Sequence, residues 1–252
     1  MKALITGASS GIGRDIARYL SSLGYEIYAV ARREERLNEL KAELKTPVHP
    51  ITADVSNYDE CIKLYESLKG ENIDILVNNA GFGAFGRFSQ IPLETEIQMI
   101  NTNITALHIL TKLFLGDFKE KNKGYILNVA SSAGFMMGPL LATYYASKAY
   151  VLRLSQAISR ELEKEGSRVK ISVLCPGPVN TEFDSVANVR FSLRGLNSEY
   201  VAKYAVKKLF KGKTVIIPGF KMKAAVALSK LVPDNLLSAI TYHCQHKKEK
   251  SM

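Results

Sequence analysis

A pair of tyrosines stands shortly before a lysine in the segment ATYYASKAYV, residues 142–151. A lysine ammonium beside a tyrosine favours the phenolate form, which lowers the pKa of the phenol and lets it transfer a proton near neutral pH. On a helix, residues three and four positions apart share a face, so Tyr145 and Tyr144 are both within reach of Lys148. The spacing permits a proton-transferring Tyr–Lys pair and leaves open which tyrosine belongs to it, and a packing tyrosine beside a solvated lysine is the alternative.

A glycine-rich turn follows the first apolar segment of the chain. The letters TGASSGIG, residues 6–13, precede a segment with helical periodicity. Glycines allow a tight turn and a close approach to a pyrophosphate, whose charge is stabilised at a helix N-terminus. A tight turn without a ligand is the alternative that such a motif leaves open. The residues expected to contact a dinucleotide here are Gly7, Ser9, Ser10, Gly11, Ile12 and Gly13.

The residues after the second apolar segment bear on the choice of dinucleotide. An acidic residue at this point would accept a hydrogen bond from the ribose 2′-hydroxyl of NAD. This chain has Ala31 there, followed by Arg32 and Arg33. A planar guanidinium can bond two phosphate oxygens at once, so the arginine pair predicts a 2′-phosphate and a preference for NADP(H) over NAD(H). A solvated arginine pair at the start of a helix is the alternative.

Two further segments add residues to the same predicted site. Asp54 and Val55 follow the third apolar segment, where an adenine can lie, although Asp54 and Ser56 also suit the cap of the next helix. The segment VNNAG, residues 77–81, offers amides and small residues that allow close approach of a cofactor or brace neighbouring strand ends, and both roles are compatible. The cofactor contacts expected from it are Asn79, Ala80 and Gly81.

Short apolar segments alternate along the chain with longer segments of helical periodicity. The strands and helices that they predict would position the candidate site residues named above. The apolar segments are KALIT, EIYAVA, VHPIT, IDILVN, GYILNVA, VKISVLC and KTVIIPG, and helices are expected at about 12–23, 34–45, 57–69, 93–121 and 143–165. This alternation predicts an α/β domain with a mostly parallel sheet that carries helices on both faces. Ligands of such sheets bind at the carboxyl ends of the strands, where the residues above are placed.

No repeat, low-complexity block or linker divides the 252 residues, so a single domain is expected. We interpret residues 1–181 as the cofactor and catalytic core. Residues 182–197 lack strong periodicity and are interpreted as a mobile substrate lid. Residues 198–252 are expected to form a basic helical segment on the substrate side.

Taken together, TGASSGIG, NNAG, the Tyr144-x-x-x-Lys148 pair and PGPVNT (176–181) resemble the short-chain dehydrogenase/reductase family in order and spacing, over residues 1 to about 181. The resemblance implies one doubly wound Rossmann-type domain with a seven-stranded sheet, which transfers hydride between a nicotinamide cofactor and a carbonyl or alcohol. It also implies an Asn, Ser, Tyr, Lys tetrad and a homodimer or homotetramer. Epimerases and dehydratases of the extended branch would instead have a TGxxGxxG turn and a longer substrate domain.

The family pattern assigns the tetrad to particular residues. Its serine stands thirteen residues before the tyrosine and three before a glycine, which selects Ser131, with Ser132 as the alternative, and Tyr144. Tyr145 is then expected to be a packing neighbour. The family's asparagine matches Asn103, expected to hold a relay water, whereas Asn101 is expected to be structural.

The resemblance also assigns cofactor contacts, and this chain departs from the family pattern at one position. Tyr144 and Lys148 are expected to lie at the nicotinamide end, with Lys148 on the ribose and Ser131 on the substrate oxygen. Ser10 stands where many NADP-using relatives have a basic residue, so the NADP expectation depends on the arginine pair. The segment expected to pack on the nicotinamide contains Pro176, Gly177, Val179 and Thr181.

Three segments near these motifs are expected to line the substrate pocket. Their large side chains are apolar and adaptable, which favours a lipophilic ketone, aldehyde or 3-oxoacyl compound as the small-molecule substrate. Core packing is expected to account for some of them. The candidates are Phe82, Phe85, Met136, Met137, Leu140, Phe183 and Phe191.

The charge of the chain is concentrated near its end. From Lys203 onward there are eleven lysines against Asp234 and Glu249, a net +9 of the total +10. This region has no arginine and no recognition element, so no nucleic acid partner is expected. Apolar runs at 224–232 and 236–240, separated by Pro233, predict two short helices. They either pack with their lysines outward or make a peripheral contact with anionic lipid, an acyl carrier or a coenzyme A ester.

The cysteines and the first residues of the chain bear on metal binding and on cellular location. Cys61, Cys175 and Cys244 are far apart and show no metal-binding or redox spacing, so no metal site is expected. Reduced cysteines and the lack of leader features in the first residues predict a cytoplasmic location. A catalytically idle NADP-sensing or scaffold protein is the alternative function, but such a protein would be expected to have lost Tyr144 or Lys148.

Overall fold

A parallel β-sheet forms the centre of the protein. The computed structural model describes residues 1–183, 187 and 195–249. The strands are β1 Lys2–Thr6, β2 Glu26–Ala31, β3 Val48–Thr52, β4 Ile75–Asn78, β5 Tyr125–Val129, β6 Lys170–Leu174, β7 Val179–Asn180, β8 Leu196–Asn197 and β9 Val215–Ile216. Seven of them form one sheet in the order β3-β2-β1-β4-β5-β6-β9, with every neighbouring pair parallel. Strands β7 and β8 form a separate two-residue parallel pair.

Helices connect the strands and cover the sheet. They are α1 Gly11–Ser22, α2 Glu34–Glu43, α3 Tyr58–Ser67, α4 Leu93–Ile100, α5 Leu107–Glu120, α6 Ala142–Lys164, α7 Ser198–Phe210, α8 Phe220–Ser229 and α9 Asp234–Glu249. A π-helical turn, Asn101–Ala106, joins α4 to α5, and a 3₁₀ turn, Ser132–Phe135, follows β5. Within the described ranges, no helix has both the length and the apolar character needed to cross a membrane.

Apolar side chains are buried on both faces of the sheet. Because side chains alternate along a strand, Ala3 and Ile5 of β1 face one core, which contains Ile16 of α1. Leu4 faces the other core, where it meets Phe114 of α5. The apolar strand segments of the sequence are therefore explained by a sheet that is covered on both sides.

The predicted doubly wound, seven-stranded sheet is confirmed, and the ends of the five helices predicted in the first 165 residues lie within about two residues of those expected. The direction of winding reverses between β1 and β4, which creates a crevice at the carboxyl ends of these strands. Only Val215–Ile216 of the segment KTVIIPG joins the sheet, since Pro218 has no N–H to donate to a strand neighbour. Most of the predicted lid, residues 182–197, lies outside the described residues.

Two described helices, α8 and α9, follow β9, as predicted, but the second is much longer than its apolar run. Helix α9 continues from Asp234 to Glu249, whereas the apolar run ends at Ile240. The extension is mostly polar, and only Gln245, Lys247, Lys248 and Glu249 in it are residues of good helix propensity. The sequence signal marked only the part of this helix that is apolar.

Candidate active site

A cavity of about 920 Å³ lies along the carboxyl ends of the parallel strands. It is lined by Ser131, Tyr144 and Lys148 of the predicted tetrad, while Asn103 lies outside its lining. Every residue predicted to contact the cofactor lines it, with the exception of Gly13. The fold thus brings together motifs that are far apart in the sequence.

The glycine turn has the backbone shape that the sequence predicted. Gly7 and Gly11 have positive φ angles of 65° and 53°, a region that glycine enters without the steric cost of a Cβ. Ser10, the N-cap of α1, makes no side-chain capping bond, and the first N–H groups of a helix have no acceptor within it. This end of α1 therefore suits an anionic group.

Gly13 has a packing role, and its predicted contact with the cofactor stays a prediction. A Cβ at this position would overlap the amide of Asn79 and the carbonyl oxygen of Gly7. The missing side chain lets α1 pack closely against the turn and the neighbouring strand end. Spacing alone could not separate this role from phosphate contact.

The two arginines have different surroundings, and Arg33 is already hydrogen-bonded to side chains of the protein. Arg33 donates from Nη2 to Ser9 Oγ at 3.2 Å and Ser10 Oγ at 3.1 Å, and to Glu182 Oε2 at 2.9 Å. The hydrogen bond from Arg33 is the main reason that the pKa of the Glu182 carboxyl is lowered. Arg32 is more exposed, and its Nη1 lies 3.9 Å from Asp54 Oδ2. Glu182 is a residue of this site that no local pattern predicts, because it is 149 residues from Arg33 in the chain.

Amides brace the strand ends beneath the cavity, in agreement with one of the two predicted roles. Asn79 donates from Nδ2 to the carbonyl oxygens of Thr6 and Gly7, both at 3.1 Å. Asn78 donates to Asn128 Oδ1 at 2.9 Å on the next strand. Asn79 also lines the cavity, so bracing and access to a ligand coexist there.

Neither residue proposed to cap α3 does so. Asp54 Oδ1 accepts hydrogen bonds from the N–H and the hydroxyl of Ser56, at 3.0 and 2.8 Å. The cap is Asn57, whose side chain accepts from the N–H groups of Asp59 and Glu60. Asn57 is a preferred N-cap type followed by two acids, so a usable signal was present.

The question of the two tyrosines is resolved by their surroundings. Burial raises the pKa of Tyr144 to about 12, and a hydrogen bond with Ser131 acts in the opposite direction. Lys148 Nζ lies 5.7 Å from the centre of the Tyr144 ring. Tyr144 is therefore the tyrosine that meets both Ser131 and Lys148. In the protein alone, desolvation outweighs the hydrogen bond from Ser131, and a lower pKa of Tyr144 beside Lys148 and an oxidised nicotinamide stays a prediction.

Tyr145 has a different partner. Its hydroxyl accepts a hydrogen bond from Gln245 Nε2 of α9 at 2.8 Å, and its ring lines the cavity. The expectation of simple packing along the same helix was incomplete. Tyr145 connects α6 to the C-terminal helix, a contact across 100 residues that no local pattern signals.

Lys148 is buried at the bottom of the site. Its Nζ donates to the carbonyl oxygen of Val129 at 3.0 Å, and burial lowers its pKa to about 8. A Cβ on Gly81 would lie 3.2 Å from this Nζ and 2.8 Å from Asn103 Oδ1. Gly81 therefore leaves the space between these two polar side chains open.

Asn103 acts as a brace and lies behind the cavity wall. Its Oδ1 accepts from the N–H of Phe82 at 3.0 Å, while Nδ2 donates to the carbonyl oxygen of Phe82 at 2.9 Å and to Ser147 Oγ at 3.0 Å. Both amide hydrogens are thus in use. The side chain fixes the loop after β4 against α6, and the expectation that Asn103 holds a relay water stays a prediction.

The far end of the cavity is apolar, and the C-terminal helices build much of it. Three of the predicted pocket residues line it, namely Phe82, Met136 and Phe183. Phe85, Met137 and Leu140 do not, and Phe191 lies outside the described residues. The apolar lining that the sequence analysis did not assign includes Leu141, Met222, Leu228, Val232, Leu237 and Ile240. Among the described side chains, no three of His, Cys, Asp or Glu are grouped to hold a metal ion.

Comparison with known proteins agrees with this geometry. The family model described as short chain dehydrogenase matches residues 1–189. The NADP-dependent 3-hydroxy acid dehydrogenase YdfG of Escherichia coli is 38% identical over 196 residues, 76% of this chain and 77% of the relative.

Two solved structures show the same fold. A short-chain dehydrogenase from Sphingobium yanoikuyae in complex with NADPH has a TM-score of 0.82 and 29% identity, covering 91% of this chain and 93% of that one. A short-chain dehydrogenase/reductase from Burkholderia phymatum in complex with NAD has a TM-score of 0.81 and 26% identity, covering 90% and 92%. The matched residues contain the glycine turn, Ser131, Tyr144 and Lys148, and we conclude that the protein belongs to the short-chain dehydrogenase family and is an oxidoreductase with a nicotinamide cofactor.

Proposed function

We propose that the protein is an NADP(H)-dependent oxidoreductase that transfers hydride between the cofactor and the carbonyl or alcohol carbon of a lipophilic small molecule. The observation that carries the proposal is the continuity of one cavity. It runs from the arginine pair and the uncapped end of α1, past Tyr144 and Ser131, to an apolar end. A ketone, an aldehyde or a 3-oxoacyl compound fits this order of surfaces.

The residues present fit a phosphorylated dinucleotide. The end of α1 offers unpaired N–H groups to a pyrophosphate. The side chain of Arg32 is 66% exposed and 3.9 Å from its nearest acid, so its guanidinium is available to a 2′-phosphate. Because one structural relative is bound to NADPH and another to NAD, the preference for NADP(H) rests on the two arginines of this chain.

Tyr144 is the proposed proton donor for carbonyl reduction, and the bound nicotinamide supplies or accepts the hydride. With a pKa of about 12, Tyr144 keeps its proton at neutral pH. An alkoxide developing on the substrate is a stronger base than a phenolate, so the proton moves to the substrate oxygen. Ser131 hydrogen-bonds this same oxygen and stabilises the charge that develops there. In alcohol oxidation the proton moves in the reverse direction.

Lys148 stabilises the phenolate that remains after transfer. Its ammonium lies near the Tyr144 ring in a buried site, where the attraction between opposite charges is stronger than in water. Asn103 and Ser147 position α6 and the loop after β4 around this pair. They are positioning residues because their side chains bond to protein groups.

The proposal is tested by a screen for NADPH oxidation over ketones, aldehydes, steroids and 3-oxoacyl esters, with NADH as the control cofactor. Tyr144→Phe is expected to abolish turnover and to keep NADPH binding, because the lost hydroxyl serves proton transfer. Tyr145→Phe is the matched control, and most of the activity is expected to remain. If the Tyr144 variant stays active, the assignment is wrong. A protein that binds NADPH but turns over no compound in the screen would support the sensing alternative.

A further inference from the structure

We propose that the outer face of α8 and α9 docks on the surface of an anionic lipid bilayer, with the mouth of the cavity directed at the lipid. The docking stands independently of any reaction. Its consequence, that a lipophilic substrate enters the cavity from the bilayer, rests on the function proposed above.

Large apolar side chains are exposed on this outer face. Phe220 is 84% exposed and Leu231 is 81% exposed, the two highest values among the large apolar side chains that the structure describes. Leu236 is 56% exposed on α9. Exposed apolar side chains scattered singly are ordinary, but several of them on two consecutive helices and the turn between them favour an interaction surface.

The same two helices bring the cavity to this face. The cavity is lined by Met222 of α8, Val232 of the turn after α8, and Leu237 of α9. Leu228 and Ile240 line the cavity and are also 63% and 49% exposed. Leu228 of α8 and Ile240 of α9 therefore belong both to the cavity lining and to the exposed surface.

Lysines flank the exposed apolar side chains. On α8, Phe220 and Ala227 fall on one face of the helix, with Lys221 to one side and Lys223 to the other. Lys230 directly precedes Leu231. None of these lysines pairs with a carboxylate in the described part of the chain; Lys223 donates to the hydroxyl of Tyr204 at 2.9 Å. Residues 220–252 contain six lysines and two acidic residues.

This combination of surfaces fits lipid better than a second copy of the chain. In a twofold contact a patch meets itself, so the lysines of the two copies would be brought together and repel each other. An anionic bilayer instead takes apolar side chains below its headgroups and attracts the lysines at the headgroup level. The protein would lie on the surface, because no described helix can cross the bilayer.

Sedimentation of the full chain with vesicles tests the proposal. We expect binding to vesicles of equal parts phosphatidylcholine and phosphatidylserine, weaker binding to phosphatidylcholine alone, and a loss of binding at high salt. In Phe220→Ser and Leu231→Ser, each lost apolar side chain is expected to weaken partitioning about tenfold. The double variant Lys221→Glu, Lys230→Glu is expected to lose the preference for phosphatidylserine.

Phe88→Ser and Leu93→Ser are matched controls, because both residues are 68% exposed on a different part of the surface. None of the substituted residues lines the cavity, so cofactor affinity serves as a check of folding. The proposal is overturned if the wild type binds neither kind of vesicle, or if the variants of Phe220 and Leu231 behave like the controls. A change of oligomeric state in these variants without any effect on vesicle binding would overturn it in favour of a contact between copies.

Discussion

Replacing Glu182 with glutamine is expected to tighten the binding of NADPH. Glu182 Oε2 accepts from Arg33 Nη2 at 2.9 Å, and Glu182 Oε1 lies 3.6 Å from Arg36 Nη2. A 2′-phosphate bound by Arg33 must compete with this carboxylate. Glutamine keeps the size of the side chain but removes its charge, so Arg33 becomes free to turn to the phosphate.

The size of this effect follows from the exposure of the pair. The two side chains are 42% and 41% exposed, and an ion pair of this kind contributes about 0.5–1 kcal/mol. Repulsion between the carboxylate and a nearby phosphate adds a similar amount at an effective dielectric between those of protein and water. Together they correspond to a Kd for NADPH that falls roughly 5- to 30-fold. NADH has no 2′-phosphate, so its Kd is expected to change little.

Titration of each cofactor by isothermal calorimetry at low and high salt measures both constants, and the gain for NADPH is expected to shrink as salt is added. Glu43→Gln is the matched control, since Glu43 pairs with Arg14 and Arg18 away from the cavity lining. An unchanged or higher Kd for NADPH would refute the reasoning. Equal tightening for NADPH and NADH would refute the part that concerns the 2′-phosphate.

Two further predictions concern stability. Burial lowers the pKa of Lys148 from 10.5 to about 8. Below pH 8 the charged lysine therefore destabilises the folded state by about 3 kcal/mol. This destabilisation disappears as the pH rises toward 10.5, because the lysine then loses its proton in the unfolded state as well. Denaturant titrations of Lys148→Met and of the wild type measure this effect. The difference in unfolding free energy, variant minus wild type, should fall by about 3 kcal/mol between pH 7 and 10.5. A difference that does not change with pH would contradict this prediction. Asn103→Ala leaves the N–H and carbonyl of Phe82 without their partners, so we expect a loss of about 2–3 kcal/mol and a Tm roughly 5–10 °C lower. Asn101→Ala in the same π-helical turn is its control, and equal shifts for both variants would argue against the brace.

Local patterns in the sequence predicted the sheet and the elements of the site well. Apolar runs, glycine turns and helical periodicity each depend on neighbouring residues, which is why β1, α1 and the Tyr144–Lys148 spacing could be identified. The parallel sheet then brought the predicted cofactor residues to one edge, because strands of this fold end on the same side.

The features that sequence reasoning missed depend on distant contacts or on burial. Glu182 meets Arg33 across 149 residues and Gln245 meets Tyr145 across 100. The raised pKa of Tyr144 comes from the desolvation of a buried phenol, which cannot be judged before the surrounding packing is known. Gly13 and Asn103 were placed correctly in their segments, but whether a residue lines a cavity or supports its wall is decided by the fold.

The Tyr145–Gln245 hydrogen bond has a consequence for how proteins of this kind can diversify. Neighbouring residues of one helix divide two tasks, since Tyr144 faces Ser131 and Lys148 while Tyr145 holds the helix that closes the apolar end. The family match ends at residue 189, before the segment that contains α8 and α9. Because α8 and α9 line the apolar end, substitutions in these two helices would change that lining while Tyr144, Ser131 and Lys148 stay in place. Helix α6 thus joins the residues of the predicted proton transfer to a wall that is partly built from the other end of the chain.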